Sequence, residues 1–332
     1  MINRLVRLFK ARARFVAPLM TLIVLVTFFS LVSEGHRFFT GINFINILQQ
    51  AAALAIMATG VTYVLLTAEI DLSIAAMATF AGVFASFLLV NGQIPGTLAF
   101  VISFLGAVVL GGVNGLVTTR LRLPSFMATL AMMQIATGLA IYLTKGRPFF
   151  QVPEIASTLG NERLGSVPLI VIAAAVVLVI GHIVLQYTRF GRFIYMVGGN
   201  REAAELSGIS TTRVRTLALL IGGATAGLAG LINTGRIGSA HATGFEDMML
   251  DAISAVVLGG TSLFGGEGGI PNTIIGLLIF AVLKNGLNLI NLDIYLKTVV
   301  TGLILLAALV INIYSLKLGA EAAQEIETEV GH

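Results

Sequence analysis

Residues able to do chemistry are few in this chain, and they lie inside or beside long apolar runs. Glu69 and Asp71 fall in LLTAEIDLSIA, a very short connection between two such runs. A carboxylate near bilayer depth is expensive and by default marks a functional position, as an acceptor for substrate hydroxyls or part of a gate. The competing reading is interfacial, with Asp71 capping the next helix through its carboxylate; for Glu69 the residues leave both open. Asp251 stands where the chain re-enters an apolar stretch after Glu246 and Asp247, and Lys284 interrupts another. They read either as a buried pair or, for the lysine, as a side chain snorkelling to an interface. Asn114, Gln134 and Asn285 are polar residues within apolar runs, suited to lining a path or to hydrogen-bonding between helices. Glu69, Asp71, Asn114, Gln134, Asp251 and Asn285 are therefore the candidates for a translocation path.

Other chemistries lack their residues. There is no cysteine, which removes disulfides, thiolate metal sites and thiol catalysis. The four histidines, at 36, 182, 241 and 332, show no ligand spacing, so no metal site is expected. No Gly-x-Ser-x-Gly elbow occurs, and no catalytic residue is assigned. The glycine-rich stretch LGGTSLFGGEGGIP from Leu258 to Pro271 lacks the Lys-Ser/Thr ending of a phosphate loop. It reads as a tight turn between half-helices, so any nucleotide hydrolysis belongs to another polypeptide and no cofactor is expected on this chain.

One polar stretch stands apart. Between Arg189 and Arg215 seven charges of both signs separate two apolar runs. Inside lies a predicted short helix with Asn200 as N-cap, Glu202 in its first turn and Gly208 just past its end. Ala203 and Ala204 set small residues between Glu202 and Glu205. The pattern predicts a helix that docks into a groove on a soluble partner.

The elements around these residues follow from hydropathy. Mean hydropathy is +0.96, with 57% apolar and 11% charged residues, which excludes a soluble domain of ordinary composition. Apolar runs at 15–32, 44–68, 72–90, 94–119, 124–144, 167–188, 216–235, 252–264, 270–290 and 294–314 predict an all-α polytopic membrane protein with about ten transmembrane helices. The eighth run is short and broken by Gly259 and Gly260, as a half-helix would be. The amino end carries five basic residues and no acid before its run, and no small-residue cleavage pattern follows, so an uncleaved first span with its basic end inside is expected. Ten crossings then put Arg120, Arg122, the 189–215 loop and Lys317 on the inside, leaving Arg37, Lys145, Arg147, Arg163 and Arg236 outside. The basic balance, with pI near 9.6, thus reflects span ends and no nucleic-acid partner. Both termini are expected in the cytoplasm, with residues 1–316 forming the transmembrane domain and 317–332 an acidic, disordered tail.

Gly111 with Gly115, and Gly223 with Gly227, are small-xxx-small pairs that predict close helix approach. An internal echo pairs Ile94-Pro95 and Asn114-Gly115 with Ile270-Pro271 and Asn285-Gly286, with Asp71/Ser73 and Asp251/Ser254 upstream. It relates spans 3–5 to spans 8–10, an odd offset that predicts an inverted-topology repeat with the path at the repeat interface.

The stretches EIDLS (69–73), NGLVTTRLRLPSFMATL (114–130), TKGRPF (144–149), GRFIYMVGGNREAAELSGI (191–209) and LDAISAVVLGGTSLFGGEGG (250–269), in this order, resemble the inner-membrane permease subunits of ribose-type sugar ABC importers. The resemblance covers nearly the whole chain. It implies a permease that works by alternating access in the bacterial inner membrane and is not itself an enzyme. It also implies three partners: a second permease copy or related chain, a cytoplasmic ATPase with two nucleotide-binding domains that holds ATP and Mg2+, and a periplasmic sugar-binding protein. Gly199, Asn200, Glu202, Ala203, Ala204 and Gly208 then fall in the ATPase-docking loop, with Arg201 and Glu205 between them. This chain has Ile74-Ala75 where the family commonly has Val-Gly, and Glu69 where it often has Gly. Glu69 also occurs in some pentose-type members, so the resemblance implies a pentose or polyol. The alternative is an ion-coupled secondary transporter using Glu69, Asp71 and Asp251 as coupling sites.

Overall fold

The structure, a computed structural model, describes residues 13–290, 293, 295–304, 306, 307 and 310. The acidic tail from 317, most of the basic amino end and part of the last expected span lie outside the described residues. Helices account for most of what is described: α1 (Ala13–Val32), α2 (Gly41–Leu66), α3 (Ile74–Val90), α4 (Gly96–Arg120), α5 (Ser125–Thr144), α6 (Glu154–Asn161), α7 (Leu169–Tyr187), α8 (Arg189–Gly199), α9 (Arg201–Leu206), α10 (Thr211–Ile237), α11 (Glu246–Leu258) and α12 (Ile270–Leu289). A further apolar helix runs Tyr295–Ile304. The all-α expectation needs one correction, an antiparallel hairpin of two-residue strands, β1 (Arg163–Leu164) and β2 (Val167–Pro168), turned by Gly165 at φ +63°.

Among the described residues six helices are long and apolar enough to cross a membrane: α2, α4, α5, α7, α10 and α12. Helix starts are set by proline: Pro95, Pro124, Pro153 and Pro168 stand immediately before α4, α5, α6 and α7. The ring fixes φ and its missing N–H is one the first turn would leave unpaired anyway. The eighth run is displaced from its expected place. The helix is Glu246–Leu258, not 252–264, because the positive end of the helix dipole accommodates Glu246 and Asp247 in its first turn. It stops before Gly259 and Gly260, and Gly260, Gly265, Gly266, Gly268 and Gly269 all have positive φ, as a tight glycine turn requires.

The chain divides into two compact units. One comprises the residues up to Ile47, Ser254–Gly260 and those from Asn272 onward. Within it Asn43 and Asn285 exchange side-chain amide hydrogen bonds of 2.9 and 3.0 Å, and the Phe29 and Phe38 rings stack at 5.9 Å.

The other, Leu48–Ile253 with Thr261–Pro271, is organised on α10. The two predicted small-residue pairs prove to be the two sides of one crossing. A Cβ added at Gly111 of α4 would lie 2.8 Å from the Gly223 Cα of α10, and one at Gly227 would lie 2.6 Å from the Ala107 Cβ. Helix α3 meets the same helix at Gly230 and Thr234, and α6 meets it at Gly160 and Gly235. Connections in this unit gather at two ends. At one, Phe149 and Ala240 exchange backbone hydrogen bonds of 3.0 and 2.8 Å. At the other, the α2–α3 connection, α8 and the glycine turn meet: Gly266 N–H donates to the Leu66 carbonyl at 3.0 Å, and Tyr195 O–H donates to that of Gly268 at 3.0 Å. Burial raises the Tyr195 phenol above its ordinary range, so it stays protonated and a donor.

Candidate functional site

At this second end the charged side chains converge. Helix α9 is built as its residues predict: the Asn200 side chain accepts from Ala203 N–H at 3.0 Å, and Glu202 occupies the first turn. Its end is a Schellman turn, in which Gly208 takes φ +80°, its N–H donates to Glu205 O at 2.9 Å, and Ile209 N–H donates to Ala204 O at 3.0 Å. An unpredicted helix, α8, precedes it. Thr188 caps α8 by accepting from Gly191 N–H at 3.2 Å, and Ile194 and Val197 are buried with Tyr63, Leu66 and Val214.

The predicted docking residues separate into two faces. Arg201, Glu202, Ala203, Glu205 and Gly208 are exposed. Ala204 is not available to a partner as expected: it is 2% exposed and packs into the core formed by Tyr63, Leu185 and Val214. Leu206, not among the predicted docking residues, is 85% exposed, and Phe264 on the glycine turn is 88% exposed. The signal was an apolar side chain in a polar six-residue helix.

Glu69 is held, not free. Its carboxylate accepts from the Arg201 guanidinium at 2.8 Å and from Arg215 Nε at 2.5 Å, with only 4% of its side chain exposed. One buried acid thus joins the α2–α3 connection to the first residue of α9 and to the first turns of α10. A carboxylate so engaged is not offered to a substrate hydroxyl. The backbone of the connection is satisfied from α5: Ser125 Oγ accepts from Ile70 N–H at 3.0 Å and Thr129 Oγ1 from Leu72 N–H at 3.1 Å.

Asp71 takes the local role rather than an open one. Its Oδ1 accepts from Ser73 N–H at 2.8 Å and Ser73 Oγ at 2.6 Å, closing an Asx turn in which Ser73, not Asp71, is the N-cap of α3. Asn114 of α4 donates to Ser73 Oγ at 2.8 Å, so the turn is tied to a second helix; the buried Asp71 Oδ2 has no hydrogen-bond partner among the described residues.

The other path candidates are not brought together with these. Asn285 pairs with Asn43, the interhelical bond that was its alternative reading. Gln134 lies on the exposed side of α5. Asp251 is half-buried on α11. Lys284 is exposed, its Nζ 4.8 Å over the Phe280 ring.

The family described as the branched-chain amino acid transport system permease component matches residues 43–309. The ribose import permease protein RbsC of Escherichia coli (strain K12) is 37% identical over 298 residues, covering 89% of this chain and 92% of the relative. RbsC of Bacillus subtilis (strain 168) is 37% identical over 300 residues, covering 89% and 91%. The fructose import permease protein FrcC of Rhizobium meliloti is 31% identical over 313 residues, covering 91% and 86%.

Proposed function

The chain belongs to the branched-chain amino acid transport system permease component family, and from that premise we propose that it is the membrane-spanning subunit of an ATP-driven importer for a monosaccharide. Relatives that import ribose and fructose support a sugar as cargo, and the preference for a pentose or polyol rests on the family resemblance, not on contact with the clamped Glu69. ATP and Mg2+ belong to a separate cytoplasmic ATPase, and a periplasmic binding protein delivers the sugar. A second permease, identical or related, completes the path across the bacterial inner membrane. The comparisons give the ion-coupled alternative no support.

Ten crossings place both termini and the α8–α9 loop in the cytoplasm. The six long helices, the shorter apolar α1, α3 and Tyr295–Ile304, and α11 supply ten segments. The echo between spans 3–5 and 8–10 makes them an inverted repeat. Residues 1–316 are the permease domain and 317–332 its acidic tail.

The observation that carries the mechanism is the Glu69 clamp. Helix α9 is the ATPase contact, presenting Ala203, Glu205 and Leu206. When the ATPase closes on ATP, α9 moves as a short lever, and its Arg201 pulls on Glu69. The pull enters the α2–α3 connection and, through the Asp71, Ser73 and Asn114 bonds, reaches α4. Alternating access then results from moving helices whose cytoplasmic ends are bonded together. Ala203→Arg and Leu206→Asp test the contact without disturbing the core, which Ala204→Arg would disrupt. Both variants should accumulate normally in the membrane, lose ATPase co-purification and lose labelled-pentose uptake. Unchanged uptake with the ATPase still bound would refute the docking role.

A further inference from the structure

The same end of the larger unit carries more arginine than its ion pairs use. Two adjoining cavities, about 540 and 420 Å3, open between the end of α4, the α4–α5 connection, α9 and the start of α10. Arg122 and Thr119 line both; Arg201 and Arg215 line the first, Arg120 and Arg213 the second. Arg201 and Arg215 are partly neutralised by Glu69. Arg120, Arg122 and Arg213 have no ion-pair partner among the described residues. The one acid on the wall, Glu205, already accepts from Thr211 Oγ1 at 2.5 Å.

Two features separate this wall from ordinary inner-surface charge. Thr118 lines the first cavity, is 1% exposed, and its Oγ1 has no hydrogen-bond partner among the described residues. A buried hydroxyl of this kind is costly unless something supplies its hydrogen bond. Arg122 is held at φ +56°, a left-handed conformation that a residue with a Cβ rarely adopts. Guanidinium forks and hydroxyl donors together match the oxygens of a phosphate group.

The surroundings decide which phosphate. In Arg-Leu-Arg-Leu-Pro-Ser-Phe-Met (120–127) the arginines alternate with exposed apolar residues: Leu121 is 66%, Leu123 44% and Met127 54% exposed. A free anion has no use for such a rim, whereas acyl chains do. The wall also stands at the ends of α4 and α10, both long enough to span, which is headgroup depth.

We propose that this arginine and threonine basin seats the phosphate of an anionic phospholipid of the inner leaflet, with its acyl chains along the Leu121, Leu123 and Met127 rim. The lipid braces the α4–α5 connection beside the Glu69 clamp. The proposal rests on the inside placement argued above, and the test separates the two. The intact transporter is taken from bilayers of phosphatidylcholine containing phosphatidylglycerol, and retained lipids are counted by native mass spectrometry. Unaltered protein should keep phosphatidylglycerol selectively. The combined Arg120→Gln, Arg122→Gln, Arg213→Gln variant should lose that retention by about tenfold or more, while Arg147→Gln with Arg163→Gln should not. Equal retention in both would overturn the proposal. So would displacement by inorganic phosphate alone, which would mark a free-anion site, or retention only after the ATPase is stripped away, which would mark a seat for the partner chain. Because the chain has no cysteine, labelling a Ser210→Cys variant in right-side-out vesicles with an impermeant reagent reports orientation independently. Outside labelling would sink the placement, and with it the leaflet.

Discussion

Glu69 has partners 132 and 146 positions away in sequence, which is why its neighbours in LLTAEIDLSIA could suggest either a path or an interface and decide neither. Removing it leaves Arg215, whose side chain is 14% exposed, without its counter-charge. Glu69→Ala is expected to cost about 3 kcal/mol in thermal unfolding of the purified chain. Glu69→Gln keeps the shape and loses the charge, and its informative readout is coupling: ATP hydrolysis should continue while sugar moved per ATP falls. Glu69→Asp should recover part of that ratio. A purely structural glutamate would lower both activities together. Asp71 was legible further, because an Asp two residues before a Ser at a helix start encodes an Asx turn locally. Its link to Asn114 was not, since 41 residues separate Asn114 from Ser73.

At the scale of elements, local signals performed best where the cause is local. The N-cap Asn200 and the left-handed Gly208 act within one short stretch, and α9 lies between them as those residues require. Helix α8 has no spanning signal of its own in sequence, because its eleven residues are too few to span and carry Arg189 and Arg192 in the first turn. Its formation depends on burying Ile194 and Val197 against α2 and α10. The glycine pairs predicted close approach without saying to what. The structure shows that they approach each other, and this predicts sharply different outcomes at neighbouring glycines. Gly223→Val would drive its side chain into the backbone of α4 and should destabilise by about 1–3 kcal/mol, or prevent folding. Gly112→Ala meets only the Leu220 Cδ1 at 3.8 Å and should leave the thermal midpoint nearly unchanged.

For the whole molecule, the placement of charge gives a direct experiment. Single cysteines at Glu202 and Gly165 should label from opposite sides of the membrane, Glu202 from the cytoplasm and Gly165 from outside; labelling of both from one side would exclude the proposed ten crossings. That the chain is a helical membrane protein was determined by the sequence alone, because a bilayer imposes length and apolarity on each span independently of its neighbours. Family resemblance was equally legible, since its motifs are contiguous. Which acid is clamped, which alanine of α9 is turned inward, and which arginines are left uncompensated were decided only by the tertiary structure. Those properties depend on groups distant in sequence meeting at one end of a packed unit, and hydropathy, which acts along the chain, carries no information about that meeting.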